Sequence, residues 1–410
     1  MKKLVVFIFA LFSFINVAFA YDFKIGSNNV IMVNLNDDSI LYEQNMDEKV
    51  PIASLTKIVT AITIIDNQDD LGKFVTITPK MLSGLDGYAK MGLKVGDKIT
   101  YMELLYALML PSAADAAQAL AIDISGSIDE FSILMNKEID KIGVKNSHFT
   151  NPVGIDDDDN YSTAYDLYII LKYALSNSTF KTIFETNEYH IISLDKDINK
   201  TISTTAFQNN INISIIKGSK TGFTYDAGLC LASTASENNI DYLIINLGAD
   251  VDSLDYINDP INLYKYYINN YEYKTIVKKN QLLVTIPIKN GWKKELEFYA
   301  DSTYQKYVLK SLNESEIKVV YDGVSEITDK IKKGDKLGIV YFKYDDEVLY
   351  QYDIYLNEDL KYHHYWIIIP IVIFIFLIFV IIKRKIRKKR RKKYTKNNQR
   401  RLNVSTRNSF

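Results

Sequence analysis

The sequence predicts an α/β layered domain, then a small β-rich domain, then one C-terminal transmembrane helix. Three observations lead there. Strand-like apolar runs stand at both ends of residues 21–271, with helical periodicity between them. Residues 272–358 alternate short strand-like runs with turns, and Trp366 to Ile382 carries no charge. Strands at both ends of a domain with helices between them imply a sheet that joins the two ends.

At the start, Lys2 and Lys3 precede the apolar run Leu4 to Val17, and Ala18-Phe19-Ala20 closes it. A basic start, a short apolar core and small residues at the cleavage position form a secretory signal peptide, expected here over 1–20. A permanent anchor would need a longer apolar run.

Beyond it, Val30–Leu35 and Ile40–Tyr42 flank Asn36-Asp37-Asp38-Ser39 and read as a hairpin. Ser54 to Ile65 has helical spacing, with Ile58, Ala61, Ile62 and Ile65 on one face. Glu103–Ala121 is a second helical region broken at Pro111, and Phe131–Ile142 and Ala164–Leu175 are two more. Gly228–Thr234 and Tyr242–Leu247 read as strands around a Glu237-Asn238-Asn239 turn, and Pro260–Tyr271 returns to helix. The smaller domain is expected to hold strands at Leu282–Ile288, Leu296–Tyr299, Ile317–Tyr321 and Lys336–Phe342, with Asp353–His364 a connector to the membrane.

The apolar segment 365–382 is close to the shortest that spans a hydrocarbon core of about 30 Å. Tyr365 and Trp366 suit one water–lipid interface, and the cations from Lys383 suit the cytoplasmic side. Residues 383–410 hold seven Lys, seven Arg and no acid, whereas residues 21–382 hold 33 Lys, no Arg and all 50 acids. The expected arrangement is a single-pass protein of the cell membrane, with residues 21–358 extracellular and 383–410 a basic cytoplasmic tail. A topological stop signal and anionic head groups explain that tail without nucleic acid as a partner. Cys230 is the only cysteine, so no intramolecular disulfide forms and stability must come from a core.

The chemistry-bearing residues exclude several classes. There are four His, two of them next to the membrane segment, and no G-x-S-x-G elbow. There is no H-E-x-x-H and no Cys/His cluster to hold zinc. The acidic run Asp156 to Asp159 lacks the Gly and Glu that a calcium loop requires, with Tyr161 and Leu167 in their places. A lysine is the alternative base. Ser54 and Lys57 lie one helical turn apart on one face, and burial lowers an ammonium pKa enough for Lys57 to accept the Ser54 proton. Alone, S-x-x-K is common, and a Ser N-cap is an equally good account of Ser54. Two further signals follow in order: Ser112 after Pro111 at a break between helices, and Lys220-Thr221-Gly222-Phe223 beside an apolar strand. On a strand, the ammonium and hydroxyl of such a motif can hold a carboxylate, with Gly222 leaving room for a ligand.

Pro51-Ile52-Ala53-Ser54-Leu55-Thr56-Lys57, Leu110-Pro111-Ser112 and Lys217-Gly218-Ser219-Lys220-Thr221-Gly222-Phe223-Thr224 resemble the low-molecular-mass penicillin-binding proteins, specifically D-alanyl-D-alanine carboxypeptidases. So do Asn151-Pro152-Val153-Gly154, Tyr161-Ser162-Thr163-Ala164-Tyr165-Asp166 and Ala227-Gly228-Leu229-Cys230-Leu231. The resemblance covers roughly residues 25–270 and implies a penicillin-binding/β-lactamase-like serine transpeptidase-type domain. It implies that Ser54 attacks the bond between two D-alanines with Lys57 as base, and that Ser112 relays a proton to the leaving amine beside Lys220. Lys220 and Thr221 would bind the terminal carboxylate, and the backbone N–H groups of Ser54 and Phe223 would form the oxyanion hole. The substrate would be the peptidoglycan stem pentapeptide, with β-lactam antibiotics as covalent inhibitors and neither metal nor organic cofactor.

The sequence departs from that family twice. Ala114 stands where Ser-x-Asn has its amide, and no arginine occurs between the Lys-Thr-Gly motif and the basic tail. A β-lactamase is disfavoured, since no Glu-x-x-x-Asn motif lies between the second and third motifs. Ala114 leaves one reading of another class: a catalytically impaired, membrane-anchored scaffold that binds the cell wall. The lost amide itself predicts a slower enzyme more readily than a dead one, with Asn136 or Asn160 as candidates to fill the gap.

Overall fold

The computed structural model describes residues 24–194, 198–205, 211–363 and 365–405. The expected signal peptide, 1–20, lies outside them. By internal contacts the chain divides into two units, one ending at Asn270 and the other beginning at Tyr271.

In the first unit, β1 (Asn29–Asn34) and β2 (Ser39–Gln44) form the expected hairpin. The central helix α1 (Thr56–Asn67) follows, then β3 (Phe74–Thr76) and β4 (Lys98–Thr100), a short antiparallel pair. Helices α2 (Tyr101–Met109) and α3 (Ala114–Ser125) are separated at Pro111 as the sequence predicts. Next come α4 (Ile128–Ile142), α5 (Ala164–Ser176) and α6 (Ser178–Phe184). A second hairpin, β5 (Glu188–Ile192) and β6 (Asn199–Ser203), precedes β7 (Gly218–Thr224), β8 (Gly228–Glu237), β9 (Ile240–Ala249) and α7 (Asp255–Asn270).

Among the described residues, five strands make an antiparallel sheet in the order β2-β1-β9-β8-β7. Pairing of β1 with β9 joins the two ends of the unit, the closure expected from strands at both ends. Period-two alternation in β9 explains why both faces are covered. Leu243, Ile245 and Leu247 enter the main core, while Asn246 faces α7 and donates to the Tyr256 carbonyl at 3.0 Å. Asp259 of α7 clamps the N-terminal end by accepting from the Ser27 amide at 2.9 Å and its hydroxyl at 2.8 Å.

Local chemistry sets the helix limits. Thr100 and Glu103 form a capping box on α2, and Thr163 accepts from the Asp166 amide to start α5. Gly126 and Gly143 close α3 and α4 in the left-handed conformation. Every residue of α1 from Thr56 to Ile64 is buried, so α1 is enclosed rather than amphipathic. Any charge among those nine residues is therefore removed from water.

The second unit holds β10 (Tyr271–Val277), β11 (Leu282–Pro287), β12 (Glu295–Tyr299), β13 (Tyr304–Leu309), β14 (Lys318–Gly323), β15 (Lys336–Tyr344) and β16 (Glu347–Tyr355). Ile276, Ile286, Val340, Phe342, Leu349 and Ile354 share its core. The connector expected from Asp353 is corrected here: β16 runs to Tyr355 and pairs with β15. Its buried stripe is thin, Leu349 and Ile354 among polar residues and tyrosines, which hides it from a hydrophobicity reading. Helix α8 (Tyr365–Ser405) carries the apolar span and continues into the basic segment.

Candidate active site

The chain enters α1 through a tight turn, Ala53–Leu55, closed by the Leu55 amide on the Ile52 carbonyl at 3.1 Å. Ala53 takes φ +46°, a left-handed conformation that costs an L-residue roughly 1–3 kcal/mol. Two glycines make the turn possible. A Cβ on Gly154 would lie 1.9 Å from the Ala53 carbonyl oxygen, and one on Gly222 would lie 3.1 Å from the Ser54 amide nitrogen. On the side where a Cβ would stand, the space at Gly222 is occupied by the serine turn itself. Bare backbone at Gly222 lets β7 close against Ser54.

Ser54 sits in this turn, outside α1 proper, and makes no cap hydrogen bond. Its hydroxyl instead accepts from Lys57 Nζ at 2.9 Å. Lys57 also donates to the Val153 carbonyl at 2.6 Å. That carbonyl is fixed by Asn151, whose Oδ1 accepts from the amides of Val153, Gly154 and Ile155 at 3.1, 2.8 and 3.0 Å. Thr60, one turn beyond Lys57, donates to the Pro152 carbonyl at 2.8 Å and ties the same loop to α1. Lys57 is 1 % exposed, and burial pulls its pKa down to about 7.

Ser112 lies between α2 and α3 at φ +61°, and is buried. Its hydroxyl accepts from Lys220 Nζ at 3.0 Å; the same ammonium donates to the Thr221 carbonyl at 2.7 Å. Burial holds the Lys220 pKa well below the lysine range, and the charge of Lys57 lowers it further. Along β7, Gly218, Lys220 and Gly222 are buried while Ser219, Thr221 and Phe223 are more exposed, so one motif serves both faces of the strand. The Phe223 ring is half exposed, edge-on to Tyr225 at 5.5 Å between centroids.

Thus Ser54, Lys57, Ser112, Lys220 and Thr221 converge, with Gly222 and Phe223 continuing the edge strand. One neighbour was not read from the sequence: Thr205, whose hydroxyl is hydrogen-bonded to that of Thr221. Its amide reaches the Leu110 carbonyl, two residues before Ser112. No local pattern around Thr205 marks it. The backbone carbonyl of Val153 was likewise unmarked, because a carbonyl carries no side-chain signature.

Ala114 is buried in the hydrophobic core at the first turn of α3 and presents a methyl group. Both proposed substitutes have hydrogen-bond partners elsewhere. Asn136 is spent on the Ser132 carbonyl and on both polar atoms of the Phe149 backbone. Asn160 accepts from the Thr150 amide. The acidic run caps its own turn, with Asp157 Oδ1 accepting from the Asp159 amide, and Asp156 accepts from the Thr224 hydroxyl at 2.8 Å. Among the described residues no group of three or more His, Cys, Asp or Glu is arranged to hold a metal.

The family model described as D-alanyl-D-alanine carboxypeptidase matches residues 16–251. The chain belongs to the D-alanyl-D-alanine carboxypeptidase family. A second model, described as the C-terminal domain of penicillin-binding protein 5, matches residues 271–362 of this carboxypeptidase. Among curated relatives, D-alanyl-D-alanine carboxypeptidase DacF of Bacillus subtilis is 28% identical over 346 residues, 82% of this chain and 86% of the relative. DacC of Escherichia coli is 26% identical over 382 residues, 86% of this chain and 90% of the relative. The solved structure of DacD from Francisella tularensis superposes with a TM-score of 0.68 over 83% of this chain and 95% of that one, at 22% identity, and bears on the fold. The carboxypeptidase is a serine-type hydrolase of the penicillin-binding protein class, and the one long apolar helix among the described residues fits attachment to a membrane.

Proposed function

We propose that the carboxypeptidase removes the terminal D-alanine of peptidoglycan stem pentapeptides through an acyl-enzyme on Ser54. Neutral Lys57 takes the hydroxyl proton as Ser54 Oγ bonds to the carbonyl carbon of the penultimate D-alanine. The negative charge on the carbonyl oxygen is met by the amides of Ser54 and Phe223, donors of which each typically contributes about 3 kcal/mol in such sites. The C–N bond then breaks, the leaving amine receives a proton through Ser112, and Lys220 holds that relay. Water hydrolyses the ester, and Lys57 serves again as base. Lys220, Thr221 and Thr205 receive the terminal carboxylate, the role that an arginine would otherwise fill. β-Lactam antibiotics would acylate the same serine.

One observation carries this reading: a lysine with a pKa near 7 donates to the hydroxyl it must deprotonate. In the same reading α8 anchors the protein as a single span, the folded units lie outside, and residues 383–410 form the cytoplasmic tail. D-alanine release from a D-Ala-D-Ala-terminated pentapeptide tests it, with Ser54→Ala and Lys57→Met as controls. Both variants should lose release by at least a thousandfold. Undiminished release by Ser54→Ala overturns the assignment. Specific binding of wall peptide without any release would return the scaffold reading that Ala114 keeps open.

A further inference from the structure

The sequence contains two tryptophans, Trp292 and Trp366, more than seventy positions apart, and the second unit pairs the backbone around Trp292 with residues 361–363, just before Trp366. Trp292 lies in the turn between β11 and β12. The Trp292 amide donates to the Lys361 carbonyl at 2.9 Å, the His363 amide donates to the Asn290 carbonyl at 2.6 Å, and Gly291 bridges Tyr362. The Trp292 ring stands 4.2 Å from that of His363, which stacks on Tyr365 at 4.8 Å. Tyr365 is the first residue of α8, and the uncharged span begins beside it. The turn is therefore hydrogen-bonded to Lys361 and His363, which flank its bridge partner Tyr362 just before the span.

Trp292 is 70 % exposed, unusual for so large an apolar ring in a soluble domain. Its amphipathic indole is the group that water–lipid interfaces favour. On either side, Lys289 is paired with Glu326 at 2.7 Å and Lys293 with Glu358 at 2.7 Å, while exposed Lys294 adds an ammonium that suits head-group phosphates. Resting on the reading of α8 as a membrane span, we propose that the 289–294 turn is a second, interfacial anchor, with Trp292 seated among lipid head groups. It would fix the β-rich domain at the bilayer surface instead of leaving it to swing on a single helix. The partner is the lipid interface itself.

The test uses full-length protein reconstituted in phosphatidylcholine vesicles with brominated acyl chains, which quench indoles near them. Trp366→Phe leaves Trp292 as the sole reporter, and Trp292→Phe leaves Trp366. Quenching of both reporters, with a blue-shifted Trp292 emission and poor access to aqueous iodide, is the expected result. Quenching of Trp366 alone, with Trp292 solvent-exposed and iodide-accessible, overturns the interfacial anchor and leaves the span intact. No quenching of Trp366 overturns the spanning reading, and the anchor with it.

Discussion

Lys220 is buried beside Lys57, and the charge on Lys57 lowers the pKa of Lys220 beyond the effect of burial. The two ammonium groups are directed at different hydroxyls, Lys57 at Ser54 and Lys220 at Ser112. A site with two desolvated lysines favours neutral amines, one of which can act as base. It also favours an anionic ligand, whose carboxylate offsets the remaining positive charge.

The first expectation concerns pH. Acylation requires neutral Lys57, so its rate should climb as pH rises through about 7. Lys220 also loses its proton more readily than an ordinary lysine, so affinity for the substrate carboxylate should fall as pH rises. Together these give a bell-shaped kcat/KM, measurable by D-alanine release across pH 5.5–10. A flat profile through neutrality contradicts Lys57 as the base.

Stability should carry the mark of the same lysine. Its folded pKa lies below the unfolded value, so between about pH 7 and 10.5 unfolding takes up a proton and stability rises with pH. Three to four pKa units correspond to ~5 kcal/mol across that window. Urea titrations of wild type and Lys57→Met should therefore diverge with pH, the wild type gaining on the variant as pH rises. Parallel curves would mean that Lys57 is not desolvated in solution.

The two glycines against the serine turn should differ in kind. Gly222→Ala brings Cβ to 3.1 Å from the Ile52 carbonyl and the Ser54 amide, a contact relieved by a few tenths of an ångström. A stability loss of about 1 kcal/mol with a kcat loss of tenfold or more is expected, since displaced catalytic atoms are costly. Gly154→Ala meets backbone at 1.9 Å in a left-handed conformation and should destabilise by roughly 3 kcal/mol or more. Thermal melts and single-turnover acylation separate the two.

Thr205 is expected to share recognition of the carboxylate with Thr221. Thr205→Val should lower kcat/KM on a D-Ala-D-Ala peptide about tenfold, the ~1.4 kcal/mol that a hydrogen bond to a charged group supplies. Thr205→Ser should restore it. A peptide with its terminal carboxylate amidated should not distinguish Thr205→Val from wild type. Equal losses on both peptides would make Thr205 a packing residue only.

Much of this was legible because the chemistry lives in side chains with fixed spacing. Ser54 and Lys57 sit one turn apart, and the β1–β2 hairpin and the strands after Gly218 have clear apolar runs. Contacts made by backbone were not legible. The Val153 carbonyl on Lys57, the positive φ of Ala53 and the approach of Gly222 to Ser54 depend on tertiary closure. Thr205 is invisible in sequence because an isolated threonine belongs to no pattern. β10, β13 and β16 escaped because tyrosine-rich strands with narrow buried stripes lack the contrast that marks β1 or β9. Helix α1 posed the opposite case, periodic in sequence yet buried on every side over its first nine residues.

The central claim is that Ser54, activated by Lys57, forms an acyl-enzyme even though Ala114 replaces the usual amide. Fluorescent penicillin applied to the full-length protein tests it most directly, with Ser54→Ala as control and folding verified by thermal melt. Covalent labelling of wild type that disappears in Ser54→Ala, and that accelerates as pH rises through about 7, is the predicted result. Absence of labelling in folded wild-type protein, or labelling that survives in Ser54→Ala, would contradict it.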